Sequence, residues 1–260
     1  MPIGEHLRSW RQRRRMSQLD LACEADVSTR HVSFLETGRA RPSRDMVLHL
    51  AERLEVPLRE RNVLLVAAGF APVFAERPLD DPALVAAREV IDLVLAAHEP
   101  YPAIAVDRHW ALVAANGAAR LLTDGIAPEL LEPPVNVLRV ALHPDGMAPR
   151  TVNFAEWRSD LLARLRRQVE ITADPQLAAL HEELCRYPAP PRSGPHPAPN
   201  PAAVAVPLRL KSDLGVLSLL STITVFGTPI DITLSELAIE TFLPADRETA
   251  EALRHIAAAA

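Results

Sequence analysis

The chain is poor in cysteine and in aromatic residues, and it contains no long apolar run. Its 260 residues include two cysteines, Cys23 and Cys185, which cannot build a disulfide framework, and only 4% aromatic residues. No apolar run approaches the roughly 18 residues that span a bilayer. No apolar stretch follows the charged N-terminus, so a secretory signal is not expected. We therefore expect a cytoplasmic protein with reduced cysteines and no attachment to a membrane.

The composition that is present is typical of a globular protein, with 48% hydrophobic and 23% charged residues. The length predicts one or two domains. The net charge of −5 argues at first against a nucleic-acid partner, but the charge is unevenly distributed. Residues 1–44 carry nine arginines and five acidic residues, a net charge of +4, which leaves −9 on the rest of the chain. This asymmetry suggests a polyanion-binding module fused to a second domain.

Regularly spaced polar caps predict a compact all-α domain over residues 1–70. Ser17, Ser28 and Ser43 each precede a short run in which apolar residues have helical spacing, and Pro57 opens a further helix. With the helix at the N-terminus, the pattern predicts a bundle of five short helices.

A segment with several prolines, residues 71–82, predicts a linker to a second domain over residues 83–256. Five apolar runs in that domain are typical of strands, and they lie at residues 103–106, 110–114, 203–210, 215–226 and 232–242. Helical stretches lie between the second and third runs, and seven prolines within residues 188–201 predict an extended loop. The order predicts an α+β domain with an antiparallel sheet of about five strands and helices on one face.

The sequence QLDLACEADVSTRHVSFLETGRARP, residues 18–42, resembles the lambda-repressor-like, Xre-type helix-turn-helix family. The matching features are Gln18 at the start of the second helix, Leu21 and Ala22 inside it, Val27 and Ser28 at the turn, and Glu36, Gly38 and Pro42 around the end of the third helix. The chain departs from the family at Asp26, where a glycine is usual. Aspartate tolerates a left-handed backbone better than most residues, so we expect the turn to form.

The resemblance implies a double-stranded DNA operator, with the start of the third helix in the major groove. The expected DNA-binding residues are Gln18, Ser28, Thr29, Arg30, Ser33, Phe34, Arg39, Arg41 and Arg44. Among them, Arg30 and Thr29 are expected to read base edges, whereas Gln18, Ser28, Arg39, Arg41 and Arg44 are expected to hold phosphates. A solvated surface charge is the alternative for each arginine. The family's pairing of a first-helix arginine with the third-helix glutamate points to Arg11 and Glu36, and two unpaired surface charges remain the alternative.

The second domain resembles the ligand-binding domain of MmyB-like regulators, which has a PAS-like fold. The segments that carry this resemblance are residues 102–119, 141–165 and 226–246. The resemblance implies a small apolar or fatty-acid-like ligand, and we expect no other cofactor. An apolar pocket with a few convergent polar groups is the usual form of such a site.

Five residues are the expected ligand contacts, namely Trp110, Asn116, Asn153, Trp157 and Arg158. The two tryptophans offer large apolar surface, the two asparagines offer polar anchors, and Arg158 offers a partner for a ligand carboxylate. Core packing is the alternative for the tryptophans, and a surface position is the alternative for Arg158.

The chain shows no pattern of catalytic residues or metal ligands: there is no G-x-S-x-G, no P-loop and no histidine–cysteine spacing of a metal site. We therefore predict a transcription regulator rather than an enzyme, acting as a homodimer on a specific operator. Two alternatives stay open. The C-terminal domain could be a ligand-independent dimerisation or partner-docking module, or the chain could be an enzyme with a DNA-binding appendage.

Overall fold

The computed structural model describes residues 1–190 and 205–259, and it divides the chain into two compact units. The first unit comprises Met1–Pro78, Glu170–Thr172 and Thr228–Ser235. The second comprises Leu79–Val169, Ala173–Gly227 and Glu236–Ala260. Within the described ranges, no helix is long and apolar enough to cross a membrane.

Five α-helices form the N-terminal part of the first unit, as predicted. They are α1 (Ile3–Arg13), α2 (Gln18–Glu24), α3 (Thr29–Glu36), α4 (Arg44–Arg53) and α5 (Leu58–Ala67). The hydroxyl oxygens of Ser17, Ser28 and Ser43 accept main-chain hydrogen bonds of 3.1, 3.1 and 3.2 Å from the first turns of α2, α3 and α4. Each hydroxyl satisfies an N–H group that has no partner inside its helix, so these serines determine where the helices begin. The predicted caps are confirmed.

Three positions of the first unit restrict which residue can occupy them, two because of a positive φ and one because two helices approach closely. Asp26 has a φ of 51° between α2 and α3, and Gly38 has a φ of 72° after α3. Both lie in the left-handed region, which glycine adopts freely and aspartate tolerates. Gly4 serves a different purpose, because a Cβ atom there would lie 2.5 Å from the carbonyl oxygen of Leu35. The missing side chain lets α1 approach the end of α3.

One buried leucine from each helix contributes to the core of the first unit. Leu7, Leu21, Leu35, Leu50 and Leu64 are each at most 2% exposed. Burying such a side chain contributes about 1.5–3 kcal/mol. Helices of 7 to 11 residues are too short to be stable alone, so this shared core holds them together.

The first part of the segment predicted as a linker, residues 71–82, packs on the first unit. Asn62 of α5 donates a hydrogen bond of 2.7 Å to the carbonyl oxygen of Phe74. Nη1 of Arg77 donates to Oδ2 of Asp231 at 2.9 Å. The first unit therefore continues to Pro78 and takes in a short piece of chain from residues 228–235.

The chain beyond Pro78 forms the remaining elements. The helices are α6 (Val85–Ala97), α7 (Arg120–Thr123), α8 (Val137–Leu142), α9 (Phe154–Thr172), α10 (Pro175–Arg186), α11 (Ile232–Ser235) and α12 (Arg247–Ala259). The strands are β1 (Ala103–Val106), β2 (Leu112–Ala115), β3 (Leu208–Ser212), β4 (Gly215–Val225) and β5 (Ala238–Pro244). The strands pair antiparallel in the order β2-β1-β5-β4-β3, which confirms the predicted α+β class.

Helices cover both faces of this sheet, which corrects the expectation of one covered face. Ile91 and Leu95 of α6 pack with Ala103 and Ala105 on one face. Ile104 belongs to the larger core on the other face, together with side chains of α8 and α9. Successive strand residues point to opposite faces, so all four residues of β1 are buried.

Strand β2 begins two residues later than predicted, because Trp110 lies in the preceding turn. Its φ is 65°, which an extended strand does not allow. Oδ1 of Asp107 accepts hydrogen bonds of 2.8 Å from the main-chain N–H groups of His109 and Ala111. This carboxylate closes the turn, and the strand starts at Leu112.

The strand predicted over residues 232–242 is wrong in its first part, which forms α11. Asp231 is 2% exposed, and its Oδ1 accepts a hydrogen bond of 2.9 Å from the N–H group of Thr233. The buried carboxylate caps a helical turn at this point, so that strand pairing begins only at Ala238.

The proline-rich segment predicted as an extended loop, residues 188–201, lies outside the described residues from position 191 onward. The first two residues of the strand predicted over residues 203–210 also lie there. The described strand in this region is β3.

Candidate functional site

Helix α3 has one side in the core of the first unit and its start in solvent. Val32 and Leu35 are buried, whereas Ser28, Thr29 and Arg30 are exposed. The polar start of a helix, exposed on a small helical domain, is the arrangement that reads the major groove in helix-turn-helix proteins. Thr29 and Arg30 lie at this exposed start of α3, and their contact with base edges stays a prediction.

The ring of Phe34 holds two of the predicted DNA-binding arginines. The guanidinium carbon of Arg30 lies 5.1 Å from the ring centroid, and that of Arg39 lies 5.9 Å from it. Cation–π contacts at this range contribute about 0.5–1 kcal/mol at exposed sites. Phe34 and the neighbouring Ser33 are half-buried. The ring therefore orders both cations beside α3 without any contribution from DNA.

Four predicted DNA-binding arginines carry a charge that no carboxylate neutralises. Arg30, Arg39, Arg41 and Arg44 are all exposed. None of them forms an ion pair with any residue in 1–190 or 205–259. Their positive charge is therefore available to phosphate oxygens, which supply most of the salt-dependent affinity for DNA.

A buried ion pair joins α1 to the end of α3 and decides the open question about Arg11 and Glu36. Nε and Nη2 of Arg11 donate hydrogen bonds of 2.6 and 2.9 Å to the two carboxylate oxygens of Glu36. Nε2 of Gln18 donates to the same carboxylate at 2.8 Å. Burial raises the pKa of Glu36, but the hydrogen bonds from Arg11 and Gln18 outweigh burial and hold the pKa below its ordinary value. Gln18, a predicted phosphate contact, thus has one amide N–H engaged inside the protein.

The second unit contains a cavity of about 500 Å³. Its walls are mainly apolar side chains from the sheet and from α7, α8 and α9, among them Ile104, Leu112, Val140, Leu161, Leu208 and Phe242. A volume between about 300 and 1,000 Å³ with such walls is usual for sites that bind small molecules.

Two of the five predicted ligand residues, Asn116 and Trp157, line this cavity. Asn116 makes four hydrogen bonds of 2.8 to 3.2 Å with main-chain groups. Because both its N–H groups and its carbonyl oxygen are engaged, Asn116 shapes the wall of the cavity. Trp157 is 3% exposed and contributes ring surface from α9.

The other three predicted ligand residues, Trp110, Asn153 and Arg158, are not part of the cavity lining. The indole N–H of Trp110 donates to Oε1 of Gln168 at 2.8 Å. The side chains of Asn153 and Arg158 each donate a hydrogen bond of 2.8 Å to a main-chain oxygen of another segment. The indole N–H of Trp110, the amide of Asn153 and Nη2 of Arg158 therefore connect elements of the domain, whereas Nε of Arg158 is buried without a partner among the described residues. A contact of these three residues with ligand stays a prediction.

Glu240 is a charged cavity residue that the sequence reasoning missed. It lies on β5, and its side chain is 6% exposed. Its Oε1 accepts hydrogen bonds from Nη1 of Arg164 at 3.0 Å and from Oγ of Ser221 at 2.7 Å. The signal in the sequence was a glutamate within the apolar run AIETFL. A charged residue in a buried strand indicates a site where the carboxylate has specific partners. Those partners are 76 and 19 positions away, beyond the reach of any local pattern.

The two sites define the class of protein: a helix-turn-helix DNA-binding domain is joined to a domain that contains an apolar cavity. Residues 2–64 match the helix-turn-helix domain family. Residues 87–256, about two thirds of the chain, match the MmyB-like transcription regulator ligand binding domain. The chain therefore belongs to the MmyB-like family of regulators, and it is a DNA-binding transcription regulator. No curated protein matches the chain.

Both matched families are of the regulator type and not enzymes. Within the part of the chain that the structure describes, no group of three or more histidine, cysteine, aspartate or glutamate side chains could hold a metal ion. The two resemblances inferred from the sequence are confirmed by these matches.

Proposed function

We propose that this regulator binds a specific operator through the start of α3, and that a small apolar or fatty-acid-like ligand in the cavity changes that binding. The observation that carries the proposal is the apolar cavity of about 500 Å³ within the matched ligand-binding domain. A ligand can change DNA affinity only if it binds the DNA-competent and incompetent states with different affinity. The regulator is therefore expected to have two states that differ at this cavity.

The DNA-binding half of the proposal is supported by the four exposed arginines without a carboxylate partner among the described residues, two of which, Arg30 and Arg39, lie over the ring of Phe34. We assign base reading to Thr29, Arg30 and Ser33, with Phe34 as the platform for Arg30. We assign phosphate contacts to Gln18, Ser28, Arg39, Arg41 and Arg44.

A homodimer on a pseudo-palindromic operator completes the proposal, because one small helix-turn-helix domain contacts only a few base pairs. Since the operator is DNA, we place the regulator in the cytoplasm of a bacterial-type cell. Light scattering of the protein with and without operator DNA measures the number of chains in each complex, and a single chain on a high-affinity operator would contradict the dimer.

A ligand-independent docking role for the C-terminal domain is the second candidate. It is favoured by one observation, the exposure of Val90 and Leu93 on α6, which are 47% and 71% exposed. A partner or a second copy of the chain could cover these side chains. Under this alternative, Leu93→Lys abolishes association, whereas filling the cavity has no effect.

The test of the ligand-sensing proposal is to fill the cavity. Ala141 lines it, so Ala141→Phe places a ring inside. We expect this variant to bind the uncharged fluorescent probe N-phenyl-1-naphthylamine at least about tenfold more weakly, a loss of about 1.4 kcal/mol. The matched control is Ala179→Phe, which places the same ring on the exposed side of α10 and should bind the probe like the wild type.

Native mass spectrometry of the purified protein supplies the second readout. We expect a bound apolar molecule in the wild type and its loss in Ala141→Phe. Repeated absence of any bound molecule, together with no thermal shift on addition of fatty acids, alkyl alcohols or alkyl amines, would contradict ligand sensing and favour the docking role.

A further inference from the structure

The buried part of the polar lining differs from what a fatty-acid carboxylate requires. A free fatty acid presents a carboxylate, which needs a cation or hydrogen-bond donors. The deeply buried charged group of the lining is itself a carboxylate, that of Glu240. Arg120 also lines the cavity, but its side chain belongs to an exposed residue.

The two oxygens of the Glu240 carboxylate have different surroundings. Both recorded hydrogen bonds, from Arg164 and Ser221, reach Oε1. Within residues 1–190 and 205–259, no donor reaches Oε2. Oε2 is not fully buried, so a donor supplied by a molecule bound in the cavity can reach it.

The local charge balance opposes an anionic ligand near Glu240. Arg164 shares its guanidinium between Oε1 of Glu240 at 3.0 Å and Oδ2 of Asp160 at 3.3 Å. One positive charge thus serves two carboxylates, which leaves this group of three side chains net negative. A second carboxylate placed beside it would meet like-charge repulsion in an environment of low dielectric.

The position of Glu240 on the sheet places the carboxylate among apolar neighbours. Its strand partners are Ile104 on β1 and Ile223 on β4. Phe242, two residues along β5, also lines the cavity. A ligand that reaches Oε2 is therefore apolar over most of its surface and carries its donor at one point.

We propose that the ligand is an apolar molecule with a hydroxyl or amino group, whose N–H or O–H group donates a hydrogen bond to Oε2 of Glu240. This inference rests on the proposed function, because it assumes that the cavity binds a ligand, and it names the polar group that the ligand carries. Glu240 is a specificity-determining residue in this scheme, since it selects a donor over a carboxylate.

The experiment compares four molecules with the same alkyl chain on the full-length protein. They are decan-1-ol, decylamine, decanoic acid and decyl methyl ether, each used to displace N-phenyl-1-naphthylamine. We expect the alcohol or the amine to bind about tenfold more tightly than the ether, which has no donor, because hydrogen bonds to a charged acceptor are worth about that factor. A comparison of the affinities for the alcohol and the amine shows whether the cavity prefers a neutral donor or a cationic one.

Variants test whether Glu240 is the acceptor. Glu240→Gln, which removes the charge, should reduce the preference of the amine over the ether to about threefold or less. If that variant does not fold, Glu240→Asp withdraws the carboxylate by one methylene group and should reduce the preference as well. The matched control is Thr241→Val, the next residue on β5, whose hydroxyl pairs with Thr222 instead.

The remaining outcomes contradict either ligand binding in the cavity or the donor inference. If none of the four molecules displaces the probe, the apolar binding function itself fails. Equal affinities for all four would leave that function intact and overturn the donor inference. Tightest binding of decanoic acid, or an unchanged preference in a folded Glu240 variant, would also overturn the inference.

Discussion

Arginines serve two different purposes in the two units of this regulator. Beside α3, Arg30, Arg39, Arg41 and Arg44 have no carboxylate partner among the described residues. In the second unit, arginines bind carboxylates at 2.7 to 3.3 Å, in the pairs Arg139–Glu183, Arg164–Glu240, Arg186–Glu182 and Arg247–Glu251. Arg139–Glu183 and Arg164–Glu240 connect different elements of the fold, whereas Arg186–Glu182 and Arg247–Glu251 are exposed pairs within one helix. An unpaired arginine keeps its positive potential for a partner.

The first unit also contains paired arginines, namely Arg11, Arg59 and Arg77, and Arg11–Glu36 is the most deeply buried of these pairs. The side chains of Arg11 and Glu36 are 10% and 3% exposed, so the pair is buried, unlike the arginines nearby. A buried pair is costly to break because it leaves an uncompensated charge. The first unit therefore uses several arginines, among them Arg11 and Arg77, for its fold, and it keeps Arg30, Arg39, Arg41 and Arg44 exposed.

The largest effect is expected when this buried pair is broken. Glu36→Ala should lower the free energy of opening of the N-terminal helices by about 3 kcal/mol, since Arg11 loses its carboxylate inside the protein. Hydrogen exchange measured by mass spectrometry on peptides from residues 1–70 reports this loss. The matched control is Glu182→Ala, which breaks an exposed pair and should cost at most about 0.5 kcal/mol when exchange is measured on peptides of α10. Equal effects would show that burial does not distinguish the two pairs.

A smaller effect is expected on DNA recognition when Arg30 is removed. Arg30→Ala should weaken binding to a selected operator by about tenfold to a hundredfold and relax its sequence preference, because a base contact is lost. Fluorescence anisotropy on selected and scrambled duplexes measures both changes. Arg186→Ala, in the second unit, is the control and should leave DNA affinity unchanged. An equal loss on both duplexes would argue against base reading by Arg30.

Removal of Arg41 is expected to have a weaker and less selective effect. Arg41→Ala should weaken binding to all sequences alike and reduce the slope of log affinity against log salt by about 1, because one phosphate contact is lost. Titrations between about 50 and 200 mM salt give the slope. A change of sequence preference in this variant would contradict the division between phosphate and base contacts.

The smallest effect at neutral pH concerns the ionisation of Glu36. Its pKa is held below the ordinary value of 4.5, so its contribution to stability is complete above that value and is lost as pH falls through the lower, folded value. Glu36→Gln should therefore make the opening of the N-terminal helices less sensitive to acid than in the wild type. Hydrogen exchange between pH 3 and pH 6 measures this difference, with allowance for the intrinsic pH dependence of exchange. An unchanged sensitivity would show that other carboxylates dominate the acid response.

Local signals predicted the helices of the first unit well. Ser17, Ser28 and Ser43 act within three residues of their own positions, so the sequence around each one contains the whole interaction. The strand limits were less predictable. Trp110 and the residues after Asp231 belong to apolar runs, yet a side-chain carboxylate at Asp107 or Asp231 turns the chain before the strand begins.

The cavity lining was predicted only in part. The polar residues chosen in the second domain have side chains of the right type, but Asn153 and Arg158 bind main-chain oxygens instead of lining the cavity. Glu240 and Arg164 meet across 76 positions, and only the pairing of β5 with its neighbours and the course of α9 bring them together.

The sequence by itself determined the two-domain class, the helix caps and the arginines beside α3, because these depend on short spacings and on counts of charge. Only the tertiary structure decided which charges are paired, where the cavity lies and which carboxylate faces it. These features arise from contacts between residues far apart in the chain, and such contacts exist only when the sheet and helices pack around one core.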